Sequence, residues 1–186
     1  MKMKQVFVST LLVLGLHGQA MAANMPAKEA SKRIEQVVKI ISPLAQSQVR
    51  GYKVKPDSSV RSALLELAMK EDYLDDAADF TWVGKSLAAW DADSGNWGEA
   101  TMKDAYDYIT YLDTDSARDL SEAEAAKIEG QIQKAKKSFK LLLNTGVRFG
   151  VVPMGAVQCG VTFAGLAIID PHTGKVFVFA KEGSGC

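Results

Sequence analysis

Two histidines and two cysteines are all that 186 residues carry. His17 lies in a segment that reads as a leader, so His172 is the single histidine expected in the mature chain. One imidazole excludes zinc sites built from several. An excess of charge of one sign is missing too: basic and acidic residues number 22 each. Nucleic acid needs a cationic stripe to neutralise its phosphates, so it is not an expected partner. Phosphate loops are absent. Gly84-Lys85-Ser86 comes nearest, but the first glycine of such a loop would fall at Asp79. Neither Gly-x-Ser-x-Gly nor His-Glu-x-x-His occurs. Beyond the N-terminal segment no apolar run is long enough to span a bilayer. Repeats and low-complexity linkers are lacking as well. No cofactor or metal ion is expected.

What is present begins with MKMKQVFVSTLLVLGLHGQAMA. Lys2 and Lys4 open it, Val6 to Leu16 is mostly apolar, and Ala20-Met21-Ala22 supplies small residues for cleavage. This three-part pattern is that of a secretory signal over residues 1–22, with an apolar core too short to cross a membrane. The expectation is a bacterial protein that is periplasmic or secreted, with residues 23–186 as one domain. Losing Lys2 and Lys4 leaves 20 basic against 22 acidic residues.

Hydrophobic spacing divides that domain. Residues 27–145 read as about five helices. The first covers 27–48, with Ile34, Val37, Val38 and Ile41 on one stripe. GYKVKPDSS reads as a loop, and a second helix follows to Met69. A third is expected from about Asp75 to Trp90, with Phe80, Val83 and Leu87 on one face. DADSGNWG reads as a turn. A fourth helix carries Met102, Ala105, Tyr106 and Ile109 on its stripe. The fifth starts at a capping box, Ser121 with Glu124, and ends at Asn144 and Gly146. Lys134, Lys136, Lys137 and Lys140 crowd its end, where they suit the helix dipole. Residues 147–186 read as strands: VRFGVV, a turn at VPMG, then a long strand to Asp170 paired with KVFVFA. The expected class is α+β, with the helices packed on a small C-terminal antiparallel sheet or hairpin.

Cys159 and His172 raise the main chemical question. A thiolate needs a base or cation beside it, and histidine is the usual one. Cysteine, strand, then His172-Thr173-Gly174 resembles the order of groups in some bacterial toxins that deamidate glutamine, although Val157-Gln158 stand where those have Ser-Gly. That resemblance implies a thiol hydrolase, amidase or deamidase using Cys159 and His172. The turn chemistry points elsewhere. Asp170-Pro171-His172-Thr173-Gly174 is a strong turn, with Pro presetting φ and Gly accepting φ > 0. A hairpin centred between His172 and Thr173 pairs residues whose numbers sum to 345. Cys159 then faces Cys186, at the roughly 4.5–5.5 Å Cα spacing that a disulfide accepts. In the same hairpin roughly 40 Å of strand separates Cys159 from His172. The rival register needs a turn at Gly165-Leu166, whose apolar neighbours are poor turn formers. An oxidising compartment also favours the Cys159–Cys186 disulfide.

Acidic turns and aromatics supply the remaining candidates. DADSGNWGEATM places Asp91 and Asp93 as a calcium loop would. It has Asn96 where glycine is needed and Met102 where a bidentate glutamate is needed. DTDSARDLSEAE has Arg118 at the glycine position. Neither is a complete site. Trp97 and Tyr108 fit a helical core poorly, and with Asp91, Asp93 and Asn96 they form the expected ligand-binding surface. The function expected is a small exported binding or interaction protein, inhibitor- or immunity-like and non-enzymatic. Its partner would be another protein or a small envelope ligand.

The exported mature protein should be lighter than its reduced form by two hydrogens, show no free thiol, and yield a peptide joining Cys159 to Cys186. The bridge would close a 28-residue loop and stabilise the fold by roughly 3 kcal/mol. Two titratable thiols in the natively exported protein would refute it.

Overall fold

Strands that are apolar on both faces need cover on both. The computed structural model describes residues 25–44, 50–70, 76–85, 96–111, 120–154 and 163–179, and it meets that need with three layers. Among these residues the helices are α1 (Ala27–Ile41), α2 (Val60–Lys70), α3 (Met102–Tyr111) and α4 (Glu122–Ser138). The strands are β1 (Arg50–Lys53), β2 (Trp82–Lys85), β3 (Trp97–Ala100), β4 (Arg148–Met154), β5 (Phe163–Ile169) and β6 (Lys175–Phe179). They form one sheet in the order β1-β6-β5-β4-β3-β2, antiparallel except for the parallel pair β2–β3. None of the described helices is long and apolar enough to cross a membrane.

Alternation along the strands sorts the core into two halves. Phe149, Val151, Leu166, Ile168 and Phe179 face α1, α3 and α4, and pack with Ile34, Val37, Ile109, Ile132 and Leu142. Val152, Ala167, Ile169, Val176 and Val178 face the other way, where α2 covers them with Ala63, Leu64 and Leu67. Tyr52 of β1 and Trp97 of β3 complete that second half.

This layout overturns the expected one of about five helices on a small C-terminal antiparallel sheet. Three strands lie inside the segment read as helical, and the sheet is mixed. The helix expected over 75–90 is replaced by a short 3-10 turn at Ala77–Asp79 and by β2. Phe80, Val83 and Leu87 do fall at helical spacing, but the aromatic pair Phe80 and Trp82 falls at spacing two. Their rings stack with centroids 6.1 Å apart, as side chains on one face of an extended segment do. Gly84, at φ 72°, then breaks any helix. GYK in the expected loop belongs to β1, and Trp97-Gly98 in the expected turn belong to β3. Pro153 and Met154, read as part of a turn, lie in β4. Pro153 pairs with Ala164 of β5, past the stretch Phe149–Val151 that also pairs with β3.

The last two strands pair Leu166 with Phe179, Ala167 with Val178, Ile168 with Phe177 and Ile169 with Val176. This is the register of a hairpin centred between His172 and Thr173. Helix α4 begins as its sequence dictates. The Ser121 hydroxyl accepts from the Glu124 N–H, and the Glu124 carboxylate accepts from the Ser121 N–H at 3.0 Å. The Ser121 hydroxyl, donating to the Glu124 carboxylate at 2.6 Å, and then the Ser121 N–H hold that carboxyl below the usual carboxylate range. The cap is therefore at full strength above the unfolded pKa and weakens as pH falls through the folded one. After a 3-10 turn at Phe139–Leu142 the helix stops at Asn144 and Gly146, both with positive φ.

Two glycines mark where packing against the backbone is tightest. A Cβ on Gly150 would meet Leu64 Cδ1 at 2.6 Å, so α2 rests directly on β4. A Cβ on Gly174, at φ 71°, would lie 2.0 Å from the Val54 carbonyl oxygen. The two obstacles differ in kind: a leucine tip can turn aside, whereas a backbone carbonyl cannot. Gly174→Ala should therefore cost about 3 kcal/mol or more, and Gly150→Ala about 1 kcal/mol. Urea denaturation of both variants checks the order, and equal losses would contradict it.

Candidate functional site

The hairpin turn that carries His172 is a clasp. Asp170 is fully buried. One of its carboxylate oxygens accepts the His172 N–H at 3.0 Å, and the other accepts the Thr173 hydroxyl at 2.6 Å. The Gly174 N–H donates to the Asp170 carbonyl at 2.9 Å. Two neighbouring segments are tied to this turn. The Val54 N–H donates to the Gly174 carbonyl, and the Asp57 N–H to the Pro171 carbonyl, each at 2.8 Å. His172 reaches a third segment, with Nε2 2.8 Å from the Thr145 carbonyl oxygen. A carbonyl only accepts, so Nε2 carries the proton. Thr145 is itself buried, and its hydroxyl donates to the Leu142 carbonyl at 2.7 Å. His172 thus joins the hairpin tip to the chain leaving α4. Cys159 and Cys186, like Asp91 and Asp93, lie outside the described residues.

The expected aromatic binding surface is corrected. Trp97 is 2% exposed and Tyr108 is 6% exposed. Trp97 points from β3 toward α2, with its ring centroid 5.3 Å from that of Phe80. The Tyr108 hydroxyl donates to the Phe179 carbonyl at 3.5 Å. Both belong to the core, and of the named cluster only Asn96 is described at a half-buried position. The error lies in the stripe chosen on α3. Ala105, Tyr108 and Ile109 face inward, at spacings of three and four, while Tyr106 is 39% exposed. The two tyrosines exchange the roles that the sequence suggested.

Tyr106 stands instead in a groove of about 570 Å³ between α3 and the end of α4. Its walls are Met102, Lys103, Tyr106, Lys136, Lys137, Phe139, Lys140 and Leu143. The Tyr106 ring meets Phe139 edge-on, with centroids 5.8 Å apart. The Lys136 ammonium lies 4.9 Å from the Tyr106 centroid, within range of a cation–π attraction. Leu143 is 55% exposed at the rim. Lys103 is paired with Asp107 at 2.5 Å, and that bond raises the Lys103 pKa above the ordinary lysine value. Lys136, Lys137 and Lys140 have no carboxylate partner among the described residues. The sequence shows these lysines only as complements to the helix dipole. A signal was nonetheless available: at one end of α4, lysines flank Phe139 and Leu143.

A second groove of similar size runs along the other side of α4, against α1, and mixes Glu35 with Lys32, Lys39 and Lys134. Its one acid is engaged, because the Lys175 ammonium reaches Glu35 at 2.5 Å. No family model matches the chain, and no curated protein and no solved structure is significantly similar to it.

Removing the Asp170 carboxylate would leave two donors unanswered inside the protein. Asp170→Ala should cost about 3 kcal/mol, and His172→Ala, which loses a single hydrogen bond at a half-buried site, about 1 kcal/mol. Urea unfolding curves followed by tryptophan fluorescence would show this order. A His172 variant as unstable as the Asp170 variant would disprove it.

Proposed function

We propose that the chain is an exported, non-enzymatic binding protein of a bacterial envelope or its surroundings, of the kind that inhibits, protects against or adapts another protein. The observation that carries this reading is the groove between α3 and α4. Tyr106 and Leu143 hold apolar surface open to water there, and three of the lysines around them lack a described carboxylate partner. Exposed apolar groups inside a polar rim are the usual anatomy of a docking site. Aromatic rings and ammonium groups hold a ligand, and nothing in this lining pairs a nucleophile with a base.

The Cys159–His172 hydrolase has no comparable support. Nε2 of His172 is engaged with Thr145 at the tip of the hairpin. The observed pairing of Leu166 with Phe179 is the register from which the Cys159–Cys186 disulfide is expected. The Cys159–Cys186 disulfide accordingly remains part of the proposal, as does removal of residues 1–22 on export.

A photoreactive side chain at position 143, compared with one at the exposed Glu66 of α2, tests the binding role in cells that export the protein naturally. The expected result is an adduct with a discrete partner from position 143 and none from position 66. Adducts from neither position would overturn the binding reading.

A further inference from the structure

We infer that the groove between α3 and α4 docks an acidic segment of a partner protein, one that carries an apolar side chain between its carboxylates. This inference rests on the binding role proposed above and names the chemistry of the ligand.

Charge supports it first. Within the groove Asp107 answers Lys103. Asp104 is buried and turned into its own helix cap, where it accepts from the Thr101 N–H and hydroxyl, each at 2.7 Å. Lys136, Lys137 and Lys140 are left facing the groove without a described counter-charge. They do more than offset the end of α4, since a helix C-terminus carries only about half a negative charge. The surplus is local: the whole chain has a formal net charge of zero. A ligand drawn here must be anionic and small enough to sit on one patch.

Shape and surface narrow the choice. The floor is aromatic and aliphatic, from Met102, Tyr106, Phe139 and Leu143, so the ligand must carry apolar surface as well as charge. A flat anionic bilayer would not fill a concavity. A fatty acid would need an enclosed apolar tube, whereas this groove lies open between two helices. Nucleic acid would need basic groups along a longer track. A short peptide segment with an apolar side chain set on Tyr106 and Leu143, and carboxylates on either side, satisfies all the groups present. Lysines suit such a ligand because each ammonium can follow a carboxylate on its flexible stem.

The test uses the mature, exported protein and a fluorescent peptide with acidic residues on both sides of one phenylalanine. Controls are the same peptide with its acids amidated, the acidic peptide with glycine for phenylalanine, phosphatidylglycerol vesicles, and inorganic phosphate. The expected result is binding of the acidic phenylalanine peptide, at least tenfold tighter than either control peptide and weakening as salt rises through about 0.1 M. Lys137→Gln with Lys140→Gln should weaken it about tenfold, and Tyr106→Ala by a similar factor. These side chains are exposed or at the rim, and circular dichroism with a urea midpoint confirms that each variant is folded. Several results overturn the inference: no peptide binding, equal binding of the amidated peptide, indifference to all three substitutions, or binding only to vesicles or phosphate. A crosslinked partner found through Glu66 alone, with no peptide binding, would sink the acidic-segment inference and leave the binding role standing. No adduct at either position and no peptide binding would end both.

Discussion

The pairing of β5 with β6 is the constraint on which the rest of the molecule depends. Side chains in a strand alternate between faces, so a slip of one residue would exchange every one of them. Leu166, Ile168 and Phe179 would leave α1 and α4 for α2, and Ala167, Ile169 and Val178 would go the other way. The two helical layers are matched to different residue sizes and could not accept the exchange. Register is set at the turn, by the buried Asp170 carboxylate that holds both the His172 N–H and the Thr173 hydroxyl. The same turn fastens the segment after β1 and the segment after α4. One five-residue stretch therefore fixes the sheet and attaches both layers to it.

How much of this was legible depended on whether the signal was local. The Asp170–Gly174 turn, the Ser121–Glu124 cap and the stop at Asn144 and Gly146 are each written in a few adjacent residues, and each is found where the sequence places it. The strands β1, β2 and β3 were not legible. Each is four residues long, too short for a period to show, and β1 and β3 exist because strands distant in sequence, β6 and β4, pair with them. Tyr52 belongs to a strand because β6 lies beside it, which nothing near Tyr52 announces.

The candidate site divides in the same way. His172 lies at the turn but half-buried, its Nε2 bonded to the Thr145 carbonyl and not left to solvent. Tyr108 is buried, contrary to expectation, because helical spacing does not by itself say which of two neighbouring stripes faces inward, and Trp97 because it opens β3, which reads as a turn. On α3 the choice was between Tyr106 and Tyr108, separated by about half a turn of helix. Burial of Tyr108 against Phe179 settles it and turns Tyr106 toward the lysines of α4. The groove is thus a by-product of how α3 is rotated, and its basic character comes from the residues that finish α4.

The sheet order also has a consequence in time. Arg50 of β1 pairs with Val178 of β6, and about two thirds of the chain lies between them. A chain emerging N-terminus first exposes α1 and β1 long before their partners exist. Contacts that join distant parts of a sequence form slowly, because the intervening chain must first be gathered in. α1 must wait for α4 to cover its apolar face, and β1 must wait for the last strand to arrive. Loss of β6 would therefore reach beyond the hairpin, leaving β1 with no strand to pair with.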